Sequence, residues 1–335
     1  MGDIAKGVLG GGWSLLVGWV LPSAINLAVL FFAVAPSLRG HFDLVDQAWP
    51  ASKGDTGLLL LIGAVLLGLV LNALQTLLYR FLEGYVLWPA RAYERGCRVQ
   101  RARRQRIADR LAHPGPRLSP IQLGVLQERL DRYPHSPDQI GPTRLANAIR
   151  RFEEYGHDRY RLDTQVLWNE LNGSAPAQTS RQAETSRTNV DFFVALLYGH
   201  APVAAAALAA LPLDPTRAGL LVVTAVLLAA LIPLWYRSAV VATDEWAAAV
   251  RALVNLGRKP LAEALGLELP QDLGREREMW QLVTRMSRRP YHPAADELLG
   301  PFRVSPAEPR CPLSGSPAAP VTPAAPPAPR PGDVP

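Results

Sequence analysis

The sequence of 335 residues has little charge, few cysteines and almost no lysine. Charged residues make up only 19% of the chain against 49% hydrophobic residues, and the apolar residues fall in blocks that are too long for the helices of a soluble protein. Two cysteines, Cys97 and Cys311, exclude a disulfide framework and a paired-cysteine metal site. Lysine occurs only as Lys6, Lys53 and Lys259, so the positive charge is nearly all arginine, a usage typical of a GC-rich genome.

The signatures of common enzyme classes are also missing. Neither the G-x-x-x-x-G-K-[ST] nor the G-x-G-x-x-G phosphate-binding pattern occurs, and there is no G-x-S-x-G nucleophile elbow or H-E-x-x-H zinc motif. The six histidines are scattered without the spacing of metal ligands. The sequence therefore predicts no catalytic residue, no metal site and no cofactor.

Long apolar segments are what the sequence does contain. A helix that crosses a bilayer needs roughly 20 mainly apolar residues. Asp191 is the only acidic or basic residue within the segments that meet this requirement, and aromatic residues at their ends, such as Trp235 and Tyr236, are typical of interfacial belts. The four predicted spans are residues 13–36, 56–79, 190–211 and 218–236.

The first apolar segment has an alternative interpretation as a cleaved signal peptide, because Ala33-Val34-Ala35 resembles a cleavage site. However, its apolar stretch is longer than the usual signal core, and only Lys6 precedes it as a basic residue. We favour a retained span. Cleavage would remove one helix without changing the orientation of the others.

Basic residues are distributed unevenly among the connections. Residues 83–189 contain 18 arginines and residues 237–335 contain 12 lysines and arginines, whereas the loop at 37–55 carries only Arg39 and Lys53. By the positive-inside rule, both termini and the long central connection are predicted to be cytosolic, in the inner membrane of a bacterium.

Outside the spans, the chain is expected to be mainly helical. Residues 80–111 should continue the second span as a basic helical stem, and residues 112–189 should form a helical cytosolic subdomain after a proline-glycine turn. Within that subdomain we expect a helix at about 120–131 and another at 144–155, with Thr143 as its N-cap. Residues 237–304 should add further cytosolic helices, and the proline- and alanine-rich residues 305–335 cannot bury enough apolar surface to fold. The predicted fold is all-α: a four-helix transmembrane protein with a helical cytosolic subdomain and a disordered proline-rich C-terminal tail.

The basic stem carries a stripe of arginines beside the membrane. These side chains suit anionic lipid headgroups, each contact being favourable by about 1 kcal/mol, and a basic stripe is also the minimum requirement for nucleic-acid binding. We favour lipid, because aromatic interleaving and any recognisable nucleic-acid module are missing. The candidate lipid-binding residues are Arg91, Arg95, Arg98, Arg101, Arg103 and Arg104.

Small and polar residues recur at every fourth position in the first two spans. Opposite helix directions should place Asn26 and Asn72 within about one turn in depth. We favour a packing seam in which the two amides bond each other or a backbone carbonyl, and a polar stripe along a water-filled path is the alternative. The two sets are Ser14, Gly18, Pro22 and Asn26, and Ala64, Gly68, Asn72 and Thr76.

His200 is the only histidine deep in a span, and Pro202 leaves the carbonyl of Tyr198 without its helical donor. Two interpretations stay open. His200 satisfies a neighbouring polar group at an ordinary proline kink, or it forms a gating or proton-sensing site, because an ionisable group inside a membrane is a functional candidate.

The central connection contains a distinctive set of residues: Gly141-Pro142-Thr143-Arg144-Leu145-Ala146-Asn147-Ala148-Ile149-Arg150, Tyr155, Arg159-Tyr160, Leu162-Asp163 and Leu167-Trp168. This segment resembles one that recurs in uncharacterised multi-pass membrane proteins of actinobacteria and other bacteria. A later stretch, residues 245–280, resembles their C-terminal cytosolic pattern, although this chain has Ala146 and Asn255 where such proteins more often have Gly and Asp, and Asn169 where a proline is expected. The resemblance covers about half the chain and implies a shared fold without an established activity.

These observations predict a non-enzymatic membrane scaffold, sensor or accessory subunit whose cytosolic helices bind a protein partner. An oligomeric channel is the alternative, and four spans would need self-assembly to enclose a pore. The expected partners are anionic lipids, a second copy of the chain and a cytosolic protein, whereas nucleic acid is not expected. The candidate partner-binding residues are Thr143, Arg144, Asn147, Arg151, Arg159, Tyr160 and Trp168.

Overall fold

The computed structural model describes residues 12–47, 49–114 and 118–304. Within these residues the protein is all-α, as the sequence predicts, and forms no β-strand. The predicted disordered tail lies outside the described residues. In chain order the helices are α1 (Gly12–Ser37), α2 (Asp43–Gln47), α3 (Lys53–Ala73), α4 (Gln75–Glu83), α5 (Ala90–Ala112), α6 (Pro120–Asp131), α7 (Arg144–Glu153), α8 (Tyr155–Tyr160), α9 (Trp168–Ser174), α10 (Ala177–Ala210), α11 (Ala218–Ala264), α12 (Leu273–Arg288) and α13 (Pro293–Leu299).

Four helices, α1, α3, α10 and α11, are long and apolar enough to cross a membrane. The chain therefore has the make-up of a multi-pass membrane protein. The helix α10 has 34 residues and α11 has 47, so both extend well beyond the apolar segments predicted at 190–211 and 218–236. At 1.5 Å per residue α11 is about 70 Å long, roughly twice the thickness of a bilayer core.

The structure has two parts that share these long helices. The membrane bundle consists of α1, α3 and the apolar parts of α10 and α11. The helical subdomain consists of α5 to α9, α12, α13 and the polar extensions of α10 and α11. Both extensions lie at the same end of the bundle as the arginine-rich helix α5, which we call the arginine-rich end.

The helices α10 and α11 form an antiparallel hairpin, and α1 lies between α10 and α3. Glycines allow the contact between α1 and α3. A Cβ atom on Gly68 would lie 2.9 Å from the Cα of Val20, and one on Gly63 would lie 3.2 Å from the Leu27 side chain. Small residues thus let these backbones approach closely, as is common in membranes.

Two π-helical turns, Leu16–Val20 and Leu30–Val34, interrupt α1. Each precedes a proline, Pro22 and Pro36 respectively. Proline has no backbone N–H and crowds the preceding turn, so a wider turn before it relieves the clash while the chain stays helical.

Several helix starts follow directly from local sequence. Ser52 caps α3 and Ser119 caps α6, each in a capping box with the residue three positions later. Thr143 caps α7 by accepting a bond from the N–H of Ala146 at 3.1 Å, as predicted. The helix α6 has the predicted bounds, Pro120–Asp131.

The expectation of one continuous helix from the second span into the basic stem is wrong. The helix α4 ends at Gly84, which adopts a left-handed conformation with φ of 87° that glycine tolerates best. The chain turns before α5 begins at Ala90, after Pro89. The stem is therefore a separate helix, α5, which packs against α6 within the subdomain.

Pro142, which precedes the N-cap residue of α7, packs against the turn between α4 and α5. A Cβ atom on Gly84 would lie 2.5 Å from the Pro142 side chain, and one on Gly96 would lie 2.6 Å from it. The two glycines thus form a notch for a buried proline. This contact explains why the sequence Gly141-Pro142-Thr143 connects α7 to both α4 and α5.

A single apolar core extends from the bundle into the subdomain. Trp19 of α1 and Val194 of α10 belong to the same cluster of buried side chains as Leu253 of α11 and Trp280 of α12. Since burial of apolar area is the main stabilising term, this continuity makes the subdomain part of one packed unit with the bundle.

Candidate functional site

A chain of hydrogen bonds between buried polar side chains crosses the membrane bundle. The Nδ1 atom of His200 lies 2.7 Å from Oδ1 of Asn26, and the indole Nε1–H of Trp235 donates to Nε2 of His200 at 3.1 Å. Asn26 also donates its amide to the carbonyl of Pro22 at 2.8 Å. These hydrogen bonds therefore join α1, α10 and α11.

The chemistry of the donors assigns the tautomer of His200. An indole N–H can only donate, so Nε2 must accept. The Asn26 oxygen can only accept, so Nδ1 carries the proton. Asn26 and His200 are 2% and 3% exposed, and every polar ring atom of His200 has a partner. Two interpretations of His200 were open, and the contact expected from the first is present: His200 is hydrogen-bonded to neighbouring polar groups.

The residue next to His200 makes this chain possible. A Cβ atom on Gly199 would lie 2.1 Å from Nδ2 of Asn26, which is far inside van der Waals contact. Only glycine leaves room for the amide against the backbone of α10. Gly18 of α1 likewise faces Asp191 and Thr188 of α10, so the face of α1 that carries Gly18 and Asn26 packs on α10.

The expectation that Asn26 and Asn72 lie at a similar depth is wrong, although Asn26 does bond a backbone carbonyl, that of Pro22. Val20 packs against Gly68, which sets these two residues at the same depth. Asn26 follows Val20 by six residues on α1, and Asn72 follows Gly68 by four residues on α3. Because the two helices are antiparallel, these offsets run in opposite directions and add to ten residues. The two asparagines are therefore about 15 Å apart in depth. Asn72 is half-buried and Thr76 is exposed.

Pro202 lies on the outer face of α10 and is exposed, and α10 continues through it to Ala210. The phenol of the nearby Tyr198 donates to the carbonyl of Leu78 at 2.8 Å, which ties α10 to α4. Pro202 thus takes no part in the hydrogen bonds around His200. Its predicted part in gating stays a prediction.

A second polar cluster lies where the bundle meets the subdomain. The hydroxyl of Tyr79 donates to Oδ1 of the buried Asp191 at 2.7 Å, and Nε of Arg187 lies 3.8 Å from its other oxygen. Arg187 also donates to Oε1 of Gln75 at 3.0 Å. This cluster connects α4 to α10. Sequence analysis marked only Asp191 as unusual for its place near the start of a span.

The six candidate lipid-binding arginines of α5 fall into three groups. Arg101 and Arg104 donate to the backbone carbonyls of Pro137 and His135, so these two hold α5 to the loop before α7. Arg103 is half-buried and lines a cavity. The other three are exposed and can meet a lipid surface: Arg91, Arg95 and Arg98.

Three of the candidate partner-binding residues are used inside the fold. Thr143 caps α7, and the 1% exposed Asn147 bonds the N–H of Gly141 at 2.8 Å and its carbonyl at 3.1 Å. Tyr160 is buried, and its hydroxyl donates to Oδ1 of Asn255 at 2.9 Å. The polar groups of these three residues are therefore engaged within the fold, and their contact with a partner stays a prediction.

The remaining partner-binding candidates differ in exposure. Arg159 is exposed, whereas Arg144, Arg151 and Trp168 are half-buried. The Nη2 atom of Arg151 lies 2.7 Å from Nε2 of His135. Arg159 is thus the candidate most open to a partner.

A pair of carboxyl groups faces the contact between α4 and α7. Burial, together with the charge of Glu153, raises the pKa of Glu83 to about 7. Burial also raises the pKa of Glu153, while the nearby Arg150 lowers both. Arg150 itself donates to the carbonyl of Gln139 at 2.7 Å. Sequence reasoning missed this group, because nothing local shows that the two helices meet.

No group of three or more histidine, cysteine or acidic side chains in the described part of the chain is placed to hold a metal ion. Comparison with known proteins adds no assignment: no family model matches the chain, and no curated protein or solved structure is significantly similar to it.

Proposed function

We propose that this chain is a non-enzymatic scaffold, sensor or accessory subunit of a bacterial inner membrane, which binds a protein partner through its cytosolic helices. In this proposal both termini and the helical subdomain lie in the cytosol. The asymmetry of the arginines supports that orientation, because basic residues gather on the cytosolic side of bacterial membrane proteins.

One observation carries the proposal. The buried His200 bonds to Asn26 of α1 and to Trp235 of α11, so that three helices of the bundle are joined. A group that is buried and fully bonded holds helices together and does not offer a path to water or ions. The bundle thus suits a rigid base for the subdomain.

The shared core supports the same function. The helices α10 and α11 run from the bundle into the subdomain without interruption, and one apolar cluster includes both parts. A partner that binds the subdomain would therefore be held at a defined distance and orientation from the membrane. Such positioning is what a scaffold or accessory subunit supplies.

The first test separates a scaffold from the alternative, an oligomeric channel. Ion flux is measured across liposomes that carry the purified chain, at pH values on either side of about 6.5, the ordinary range of histidine titration. We expect no flux at either pH. Flux that disappears in His200→Leu and persists in Asn72→Leu would overturn the proposal in favour of a channel.

The second test addresses the partner. A photo-crosslinking amino acid is introduced at position 159 or 168 of the subdomain, and at position 61 of α3 as a control facing outward from the bundle. We expect a discrete protein adduct in native membranes from the subdomain positions alone. Adducts from position 61 alone would place the partner in the membrane and contradict binding through the cytosolic helices.

Orientation is tested separately by cysteine labelling in a Cys97→Ser, Cys311→Ser background. A membrane-impermeant maleimide should label His41→Cys in intact cells and Gln271→Cys only after the cells are opened. The reverse pattern would invert the topology.

A further inference from the structure

The helical subdomain and α11 enclose a cavity of 390 Å³ with an unusual lining. It lies where the apolar part of α11 ends, beside Tyr236. Side chains from α5, α6, α7 and α11 converge on it, together with the loop that follows α6. Five of them are arginines: Arg103, Arg129, Arg132, Arg144 and Arg237.

Most of this positive charge has no partner. Arg132 makes a bidentate pair with Asp244, with Nε of Arg132 2.8 Å from Oδ1 of Asp244. The other four form no salt bridge within the described part of the chain: Arg103, Arg129, Arg144 and Arg237. Arginines that converge on one cavity without carboxylates repel one another, and an anion there would relieve that repulsion.

The cavity also contains polar groups of fixed position. The hydroxyl of Tyr236 accepts the N–H of Leu145 at 3.3 Å, and the hydroxyl of the buried Tyr133 donates to Oε1 of Gln100 at 3.0 Å. These bonds hold the aromatic walls in place. The cavity is thus formed by packed helices and is not a chance gap between surface side chains.

An apolar groove of 830 Å³ adjoins the cavity, and Arg237 and Val241 line both. Its lining includes Val17 of α1 and Phe192 and Phe193 of α10. The lining also includes two acidic residues, Asp244, which is paired with Arg132, and Glu245.

The place of the groove in the bundle suits a lipid chain. Val17 lies one turn inside Trp13, the exposed tryptophan at the start of α1, so the groove is at the edge of the apolar zone. A basic cavity that opens into an apolar groove at this level is complementary to one amphiphilic molecule with an anionic head and an apolar tail.

We propose that the cavity binds the phosphate headgroup of an anionic glycerophospholipid, whose acyl chain lies along the groove. Guanidinium groups bind phosphate oxygens through paired N–H donors, and basic pockets at membrane-helix ends are suited to anionic headgroups. The site differs from the exposed arginines of α5, and it does not depend on the proposed partner binding.

The test uses the full chain in neutral detergent, titrated with dioctanoyl phosphatidylglycerol, dioctanoyl phosphatidylcholine and inorganic phosphate. We expect saturable binding of phosphatidylglycerol, much weaker binding of phosphatidylcholine, and weak competition by phosphate. The double variant Arg129→Gln/Arg144→Gln should raise the Kd for phosphatidylglycerol by about tenfold or more, since two charge-assisted contacts are removed.

Two controls separate this site from diffuse surface charge and from a site for a soluble anion. Arg285→Gln/Arg289→Gln removes the same charge from exposed positions at the end of α12, away from the cavity and from the lipid-binding candidates of α5, and it should leave the Kd unchanged within about twofold. Val241→Trp fills the junction of cavity and groove, and it should weaken phosphatidylglycerol binding but not phosphate binding. Gel filtration and helical content must match the parent chain for each variant, and Arg144→Lys serves as a milder replacement if Arg144→Gln does not fold.

Three results would overturn the proposal. Equal binding of phosphatidylcholine would mean that charge is not recognised. Equal losses in the cavity and control variants would mean a diffuse surface effect. Phosphate binding as tight as that of the lipid, with no effect of Val241→Trp, would assign the cavity to a soluble phosphate compound.

Discussion

The membrane bundle and the helical subdomain both bury neutral polar side chains, but within the described residues a buried carboxylate occurs only in the subdomain and at its boundary with the bundle. In the bundle the buried Asn26 and His200 are linked, together with the half-buried Trp235, without a formal charge. In the subdomain the 4% exposed Glu276 forms an ion pair with Arg258 and accepts the indole N–H of Trp280 at 3.2 Å.

The difference follows from what surrounds each part. A charged side chain between helices in lipid is surrounded by hydrocarbon, so little offsets the free-energy cost of removing it from water. Neutral amides and imidazoles have a smaller desolvation cost. In the subdomain, Arg258 reaches the surface and water screens its other side. Asp191, at the boundary of the two parts, is buried with both a phenol and an arginine as partners. The type of buried polar group thus changes with depth.

The largest expected effect is on the charged pair of the subdomain. Glu276→Ala leaves Arg258 half-buried without its carboxylate, and we expect the free energy of unfolding to fall by about 3 kcal/mol. The measurement is chemical unfolding of the full chain in detergent. Glu263→Ala, which breaks the exposed pair with Lys259, should change stability by less than about 0.5 kcal/mol. Similar losses in both variants would contradict the difference between buried and surface pairs.

The next effect tests the close approach of helices in the bundle. Gly199→Ala places a methyl group on the Asn26 amide. We expect the free energy of unfolding to fall by about 2–3 kcal/mol, because α1 and α10 must move apart and the hydrogen bond between Asn26 and His200 must break. Gly219→Ala, on α11 with nothing within 4 Å of the added atom, is the matched control and should be neutral. Unfolding in detergent with increasing SDS compares the two. A neutral Gly199→Ala would show that α1 and α10 are not in this contact.

Identical changes at two asparagines sharpen the comparison within the bundle. Asn26→Ala leaves Nδ1–H of His200 without an acceptor, and we expect it to cost about 1–2 kcal/mol. Asn72 is half-buried on α3, and Asn72→Ala should cost less than about 0.5 kcal/mol. The same SDS unfolding assay measures both. If Asn72→Ala were the more damaging, the two helices would pack in the register that the sequence alone predicted.

The smallest effect concerns pH at the contact between α4 and α7. The pKa of Glu83 is raised to about 7, so its protonated form favours the folded state. This contribution is present at acidic pH and is lost as pH rises through about 7. We expect Glu83→Gln to lessen the fall of the unfolding temperature between about pH 5 and pH 8, by about 1–3 °C.

The exposed Glu278→Gln is the control for that pH series and should leave its slope unchanged. An equal slope in the parent chain and in Glu83→Gln would remove Glu83 from the pH response.

Much of the fold could be predicted because it depends on local signals. Long apolar runs located the four spans, the helix Pro120–Asp131 had its predicted bounds, and Thr143 was recognised as a cap. In each case the information lies within a few residues, since helix start signals and hydrophobic length are properties of one segment. The break at Gly84 was missed, because a glycine inside an apolar-to-basic transition does not by itself end a helix.

The candidate site was harder to predict because its residues come from distant segments. His200 and Asn26 were each singled out as polar groups within spans, yet their pairing was missed, and Trp235 was assigned to an interfacial belt. Which helix α1 faces depends on Gly199 and Gly18, whose role appears only when α10 is in place. Likewise, the sequence around Pro142 did not show that this proline packs between Gly84 and Gly96, because those glycines lie in distant segments.

The sequence by itself determined that this is a four-span, all-α membrane protein with a basic helical part, because length, hydropathy and charge act segment by segment. Only the tertiary structure decided which polar groups are satisfied, which arginines share a cavity and which residues remain exposed. Those outcomes depend on contacts between residues as far apart in sequence as Asn26 and His200, and no local pattern records them.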